Sequence, residues 1–133
     1  MARKPTILVV DDEKNVATTL SMVLEREGYD VVLAFSCAEA LAQLRNGAAF
    51  DVVITDLNME REDIGLEVAR AALALEPPPV VVVCTGYATV DNSAAALRMR
   101  VDYLATKPVE IPELRDALAR LISRRQASRE QRA

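Results

Sequence analysis

Residues 7–13 read Ile-Leu-Val-Val-Asp-Asp-Glu, and the first four of them decide the fold. Side chains along a strand alternate between the two faces of a sheet, so an unbroken apolar run requires that both faces be covered. Strands of that kind belong to parallel sheets wrapped by helices. Helical spacing follows at once: Val16, Leu20, Val23 and Leu24 share one face, and Gly28 stands where a C-cap belongs.

The same alternation continues along the chain. Val31–Ala34, Val52–Thr55, Val80–Cys84 and Tyr103–Thr106 are four further short runs rich in β-branched residues. Between them, Ser36 and Glu39 match a capping box opening a second helix, which Gly47 ends. A third helix is expected over Gly65 to Leu75, stopped by Pro77-Pro78-Pro79, and a fourth over about Val90–Met99. The fifth starts near Pro112 and carries Leu114, Leu118, Leu121 and Ile122 on one stripe. Five β–α units predict an α/β fold with a parallel sheet, and right-handed crossovers place helices on both faces. The apolar stripe runs out near Arg124. Residues 1–124 are therefore expected to form one domain, and 125–133 a basic flexible tail or the start of a linker.

Composition narrows the function classes. The chain contains no histidine, and its two cysteines, Cys37 and Cys84, are far apart in sequence. Zinc sites and histidine-based triads are thereby set aside. Cys84 reads as core, Cys37 as a thiol exposed near a helix start, and both as the reduced thiols of a cytoplasmic protein. No stretch reaches the ~20 apolar residues that span a bilayer, and the first residues lead into a strand with no signal-peptide pattern. Charge is uneven. Five arginines against Glu130 give the residues from Ala119 onward +4, leaving −8 on the rest of a chain whose net charge is −4. An acidic body argues against direct nucleic-acid binding and suits a divalent cation.

In an open parallel sheet, sites form beyond the carboxyl ends of the strands. Those ends carry Asp11 and Asp12 after the first strand, Asp56 after the third, Thr85 after the fourth and Lys107 after the fifth. Three converging carboxylates repel one another and call for a cation, for which Mg²⁺ is suited by its preference for oxygen ligands. Asp56 would act as nucleophile, Lys107 as a point charge on phosphoryl oxygens and Thr85 as a hydroxyl donor to them, the parts phosphoryl transfer requires. Pro108 is placed to form a cis peptide that fixes Lys107.

These segments resemble the receiver domains of bacterial response regulators. Ile7–Glu13 is similar to the family's opening and Asp56-Leu57-Asn58-Met59 to its phosphoacceptor segment. Thr85-Gly86-Tyr87 and Lys107-Pro108 are similar to its fourth and fifth strand ends, and the likeness runs from about Thr6 to Ser123. The resemblance implies a flavodoxin-like, doubly wound sheet of strand order 2-1-3-4-5 flanked by five helices. It implies phosphorylation of Asp56 by a partner histidine kinase or phosphotransfer protein, with Mg²⁺ held by Asp11, Asp12, Asp56 and the Asn58 carbonyl. Asn58 and Tyr87 would tune acyl-phosphate hydrolysis. The output would pass to a downstream protein, a fused output domain or a phosphorylation-dependent homodimer. Such a domain catalyses only its own phosphorylation and dephosphorylation and is not a conventional enzyme.

Three departures from the family stand out. Glu60 replaces the usual proline after the methionine, and Ile64 is an extra residue before Gly65. Arg100-Val101 replaces Gly-Ala ahead of the fifth strand. The switch aromatic, normally three residues before the lysine, is replaced by Leu104, with Tyr103 one residue earlier; either a bulge restores Tyr103 or Leu104 takes the slot, the latter being expected. Two competing readings remain in view. An Asp-nucleophile phosphatase of the haloacid-dehalogenase type wants an acid where Asn58 stands, and a degenerate receiver would act as a constitutive binding module.

Overall fold

The computed structural model describes residues 3–47 and 49–132, the last four by their backbone. Five strands alternate with five helices: β1 (Thr6–Val10), α1 (Lys14–Arg26), β2 (Asp30–Ala34), α2 (Cys37–Arg45), β3 (Val52–Asp56), α3 (Gly65–Leu73), β4 (Val80–Thr85), α4 (Val90–Met99), β5 (Tyr103–Thr106) and α5 (Ile111–Arg132). All paired strands are parallel, in the order β2-β1-β3-β4-β5. This is the doubly wound, flavodoxin-like topology that the family resemblance implies.

The continuous apolar runs are buried on both sides. Ile7, Val9, Val52, Ile54, Val80 and Val82 face Ala17 and Leu24 of α1 and Leu114, Leu118 and Ile122 of α5. Leu8, Val10, Val53, Val81 and Val83 face Ala40 and Leu44 of α2 and Val68, Ala69 and Ala72 of α3. Burying one such aliphatic side chain contributes ~1.5–3 kcal/mol, so the sheet is fixed from both faces and its strand ends are held in register.

Local signals placed the helices well. Ser36 Oγ accepts a hydrogen bond from Glu39 N (3.1 Å), and Glu39 Oε1 accepts from Phe35 N (3.2 Å). Gly28 and Gly47, beyond the ends of α1 and α2, both have positive φ. Two boundaries differ from expectation. Helix α3 ends at Leu73, two residues early, with Leu75 N bonded to Ala72 O in a tightened last turn. Helix α5 continues to Arg132, through residues expected to form a flexible tail or the start of a linker. Where the apolar stripe ends the contacts are polar: Arg125 donates to Asp102 Oδ1 (3.1 Å) and to the Pro78 carbonyl, and Asp102 also accepts from Val81 N (2.8 Å). The helix is thus fastened to the amino-terminal edge of the sheet beyond its last buried apolar residue, Ile122. Ala133 lies outside the described residues.

Two backbone positions bear on stability. Arg100 caps α4 in the left-handed region (φ 65°, ψ 43°), where its Cβ crowds the following carbonyl. Gly65 lies so close beneath the end of β3 that a Cβ there would meet the Asp56 carbonyl oxygen at 1.9 Å and Leu57 Cα at 2.8 Å. The side of Asp56 toward α3 is therefore closed by backbone. We expect Arg100→Gly to raise stability by about 0.5–1 kcal/mol, read in urea denaturation as a higher midpoint at unchanged slope. Gly65→Ala should lower it by about 3 kcal/mol by the same measurement, since backbone must move to admit the methyl group.

Candidate functional site

The parallel sheet brings the ends of β1, β3, β4 and β5 to one edge, and the five polar residues singled out from sequence meet there. Asp11 follows β1 and prolongs its pairing with β2 through Asp11 N to Ala34 O (3.1 Å). Its side chain is buried, with Oδ1 accepting from Glu13 N (2.9 Å) and Oδ2 from Lys107 Nζ (2.9 Å). Asp56 is the last residue of β3 and 7% exposed, and its Oδ2 lies 3.3 Å from the same Nζ. Asp12 is exposed, yet its carboxylate lies with those of Asp11 and Asp56 in a group in which one oxygen from each lies within 4.8 Å of the others.

Thr85 ends β4 and is buried. Its Oγ1 accepts from Tyr87 N (3.0 Å), and among the described residues its own hydrogen is uncommitted. The Thr85 carbonyl accepts from Lys107 N (2.8 Å), fastening the lysine's backbone to the neighbouring strand end. The Lys107–Pro108 peptide is cis, as its sequence position suggested.

One cation among three carboxylates leaves an excess of negative charge. Burial pushes the Asp56 carboxyl up from its ordinary value, the Lys107 ammonium opposes that shift, and the Asp11 carboxylate reinforces it. Burial pulls Lys107 down, but its hydrogen bond to Asp11 and the charges of Asp56 and Asp11 outweigh that, so its ammonium is held more tightly than usual. The donor set therefore fits a hard divalent cation: it is all oxygen, acidic and undercompensated by Lys107.

The Asn58 side chain accepts from Asp63 N (2.7 Å), bracing the loop between β3 and α3, and Asp63 itself has φ 59°. Pairing of β4 with β5 runs Val82–Tyr103, Val83–Leu104, Cys84–Ala105 and Thr85–Thr106, with no bulge to restore Tyr103. Leu104 consequently packs with the α2–α3 side of the core and Tyr103 with the α1–α5 side. Tyr87 is exposed. Cys37, expected to be exposed, is 5% exposed instead, because as the first residue of α2 it turns into the core beside Leu44 and Phe50. Burial and the nearby Glu67 and Glu60 raise its thiol, and Cys84 is pushed up to about 12 by burial, so neither is a ready thiolate.

Three features carry little sequence signal. Gly65 reads locally as a helix start, although its role is the backbone contact with Asp56. Glu60 accepts from Cys37 N (3.0 Å), a tie across 23 residues. Arg125 reads as part of a solvated basic tail, although its guanidinium is bound. Each depends on a contact made only in the fold, which local pattern does not reveal.

Known proteins share both the sequence pattern and the architecture. The family model for the response regulator receiver domain matches residues 7–119. The transcriptional regulatory protein ZraR of Salmonella typhimurium is 35% identical over 121 residues, covering 90% of this chain and 27% of that protein. The alginate biosynthesis transcriptional regulatory protein AlgB of Pseudomonas aeruginosa is 38% identical over 121 residues, covering 90% and 26%. The chain thus spans about a quarter of the length of these curated relatives. Among solved structures, a CheY-like receiver domain from Methanospirillum hungatei superposes with a TM-score of 0.87 at 28% identity, covering 94% of this chain and 98% of that one. A response regulator from Burkholderia pseudomallei, solved with a phosphorylated aspartic acid, a calcium ion and citrate, gives 0.77 at 28% identity, covering 95% and 73%. A chain with this sheet order and this acidic edge, matched over most of its length, belongs to the response regulator receiver domain family.

Proposed function

We propose that the chain is a phosphorelay switch. It accepts a phosphoryl group on Asp56 from the phosphohistidine of a sensor kinase or phosphotransfer protein in a Mg²⁺-dependent reaction, and thereby alters a protein-binding surface. The observation that carries this reading is the Lys107 ammonium bridging Asp11 and Asp56 at the buried end of the sheet. In the reaction an Asp56 carboxylate oxygen forms a bond to phosphorus. The phosphorus–nitrogen bond breaks, and its electron pair returns to the partner's imidazole. Asp11, Asp12, Asp56 and the Asn58 carbonyl would hold Mg²⁺, which when bound supplies positive charge against the phosphoryl oxygens. Lys107 keeps Asp11 with one donor hydrogen and turns another from Asp56 to the incoming phosphoryl oxygen. The free hydrogen of the Thr85 hydroxyl is available to a second phosphoryl oxygen.

Neighbouring features support the partners. Lys107 lines an apolar groove with Val16, Leu20, Val23, Pro108 and Ile111, a surface for the helix that would present the phosphohistidine. Two hydrogen bonds connect the site to α4: Tyr87 N to Thr85 Oγ1, and Asn92 Nδ2 to Tyr87 O (3.3 Å). Recruiting Thr85 to a phosphoryl oxygen would bias that link. With Leu104 lacking a hydroxyl and Tyr103 on the opposite face, the readout would run through residues 85–92 rather than through a β5 aromatic. The receiver would comprise residues 1–124, with 125–133 leading toward an output domain or a downstream protein in the cytoplasm. A phosphorylation-dependent homodimer is an alternative output. Among the described residues no helix is long and apolar enough to cross a membrane. The Asn58 side chain, bonded to Asp63 N, offers no acid for a leaving group, which weighs against the phosphatase reading.

Incubation with Mg²⁺ and a small phosphodonor should add a single phosphoryl group by intact mass, and Asp56→Asn should add none; an unlabelled wild-type chain overturns the reading. In metal-free buffer, the Asp56 carboxyl ¹³C resonance should titrate above its ordinary value, because the carboxyl is buried. Lys107→Met should move that midpoint further up, because it removes the charge that opposes burial, and Asp11→Asn should move it down, because it removes a like charge. Since the carboxylate is the nucleophile, labelling should slow as falling pH protonates Asp56.

A further inference from the structure

We propose that Glu60 is a positioning residue that holds the loop after Asp56 in place by capping helix α2; this rests on the phosphoacceptor reading. The loop from Asn58 to Ile64 begins two residues after Asp56, and on that reading it supplies the Asn58 carbonyl to the cation. Its hydrogen bonds are otherwise local: Met59 N to Arg61 O, Ile64 N to Arg61 O, Asp63 N to Asn58 Oδ1, and Gly65 N back to Leu57 O. Arg61 pairs with Glu67 in the helix the loop leads into. Among the described residues, Glu60 alone carries the loop's hydrogen bonding to an element that does not adjoin it.

The acceptor it supplies is needed there. At the start of α2, Ser36 Oγ serves Glu39 N and Glu39 Oε1 serves Phe35 N. Cys37 N, the first amide of the helix, is taken by Glu60 Oε2 at 3.0 Å, with Oε1 at 3.4 Å. A carboxylate is favoured at that end by the helix dipole as well as by the donor. The Cys37 side chain is packed in the core, so the amide that Glu60 grips belongs to a rigid point. The family's usual proline stiffens this loop from within the backbone. Here, with an extra residue in the loop, the same position carries a side chain long enough to brace it from outside. Asn58 stands two residues before the brace, and Asp63 closes the loop back onto Asn58. Loosening the brace frees the backbone oxygen that would complete the cation site.

The test is calorimetric titration of the intact chain with Mg²⁺ alone, in wild type, Glu60→Ala and Glu60→Gln. Glu60→Ala should weaken Mg²⁺ binding about tenfold, the scale on which outer-shell supports act on a metal. Glu60→Gln, which keeps an acceptor oxygen at the same reach, should restore most of it. Amide hydrogen exchange should show Cys37 N protected in wild type and in Glu60→Gln, with protection lost in Glu60→Ala. A thermal melt of the Ala variant separates a lost brace from a lost fold. Undiminished Mg²⁺ affinity in Glu60→Ala overturns the proposal, as does a Gln variant no tighter than the Ala variant. Wild type that binds Mg²⁺ no better than Asp56→Asn overturns instead the reading of the acidic edge on which the proposal rests.

Discussion

A lysine ammonium lies 2.9 Å from Asp11 and 3.3 Å from Asp56, and both carboxylates are buried. Separated carboxylates in water would need no such partner, but at the closed end of a parallel sheet they cannot spread apart. The strands carrying them are hydrogen-bonded neighbours, and both faces of the sheet are filled with aliphatic side chains. The charges must therefore be met where they stand. Lys107 reaches them because its own amide is bonded to Thr85 O, so the cation comes from the one strand whose end is tied to β4 and free of a further neighbour.

That arrangement opposes stability locally. Burial of Asp56 outweighs the attraction of Lys107, so its charged form is disfavoured relative to a carboxyl in water. The surrounding core offsets this. Val52, Val53 and Ile54 precede Asp56 on the same strand and are almost fully enclosed. A segment that places its least favourable residue two positions after its most favourable ones holds that residue in a fixed position without depending on it for folding. Such local conflict between burial and charge is expected where function, rather than packing, chooses the residue.

The strands were legible because burial on both faces leaves an unbroken apolar signature, as in Val80–Val83. Asp11, Asp56, Thr85 and Lys107 were legible because topology alone sends strand ends to one edge, before any side-chain geometry is considered. Gly65 was not, because its reason lies in the distance to the Asp56 backbone, and a glycine at a helix start has a sufficient local explanation. Arg125 was lost for a related cause: an arginine after the last apolar turn reads as solvated until Asp102 and the Pro78 carbonyl are known to lie beneath it. The competing places of Tyr103 and Leu104 could be posed from sequence but decided only by the register of β5 on β4.

The same register constrains how a signal could leave the site. A hydrogen-bonded readout needs a donor or acceptor that is free before phosphorylation and connected to something movable. Leu104 has neither, and Tyr103 packs on the other face of the sheet. The Asn58 side-chain oxygen is already bonded to Asp63 N. Thr85 meets both conditions: its hydrogen is uncommitted, and its oxygen holds Tyr87 N, whose carbonyl is in turn held by Asn92 within the capping box of α4. Drawing the hydroxyl toward a phosphoryl oxygen would weaken its hold on Tyr87 N without breaking any contact of the core. Tyr87, Val90 and Leu97 are exposed on and just before that helix, so a small shift there would change an apolar surface rather than a buried one. With Leu104 rather than an aromatic opposite Val83, α4 is left as the element through which the site would report.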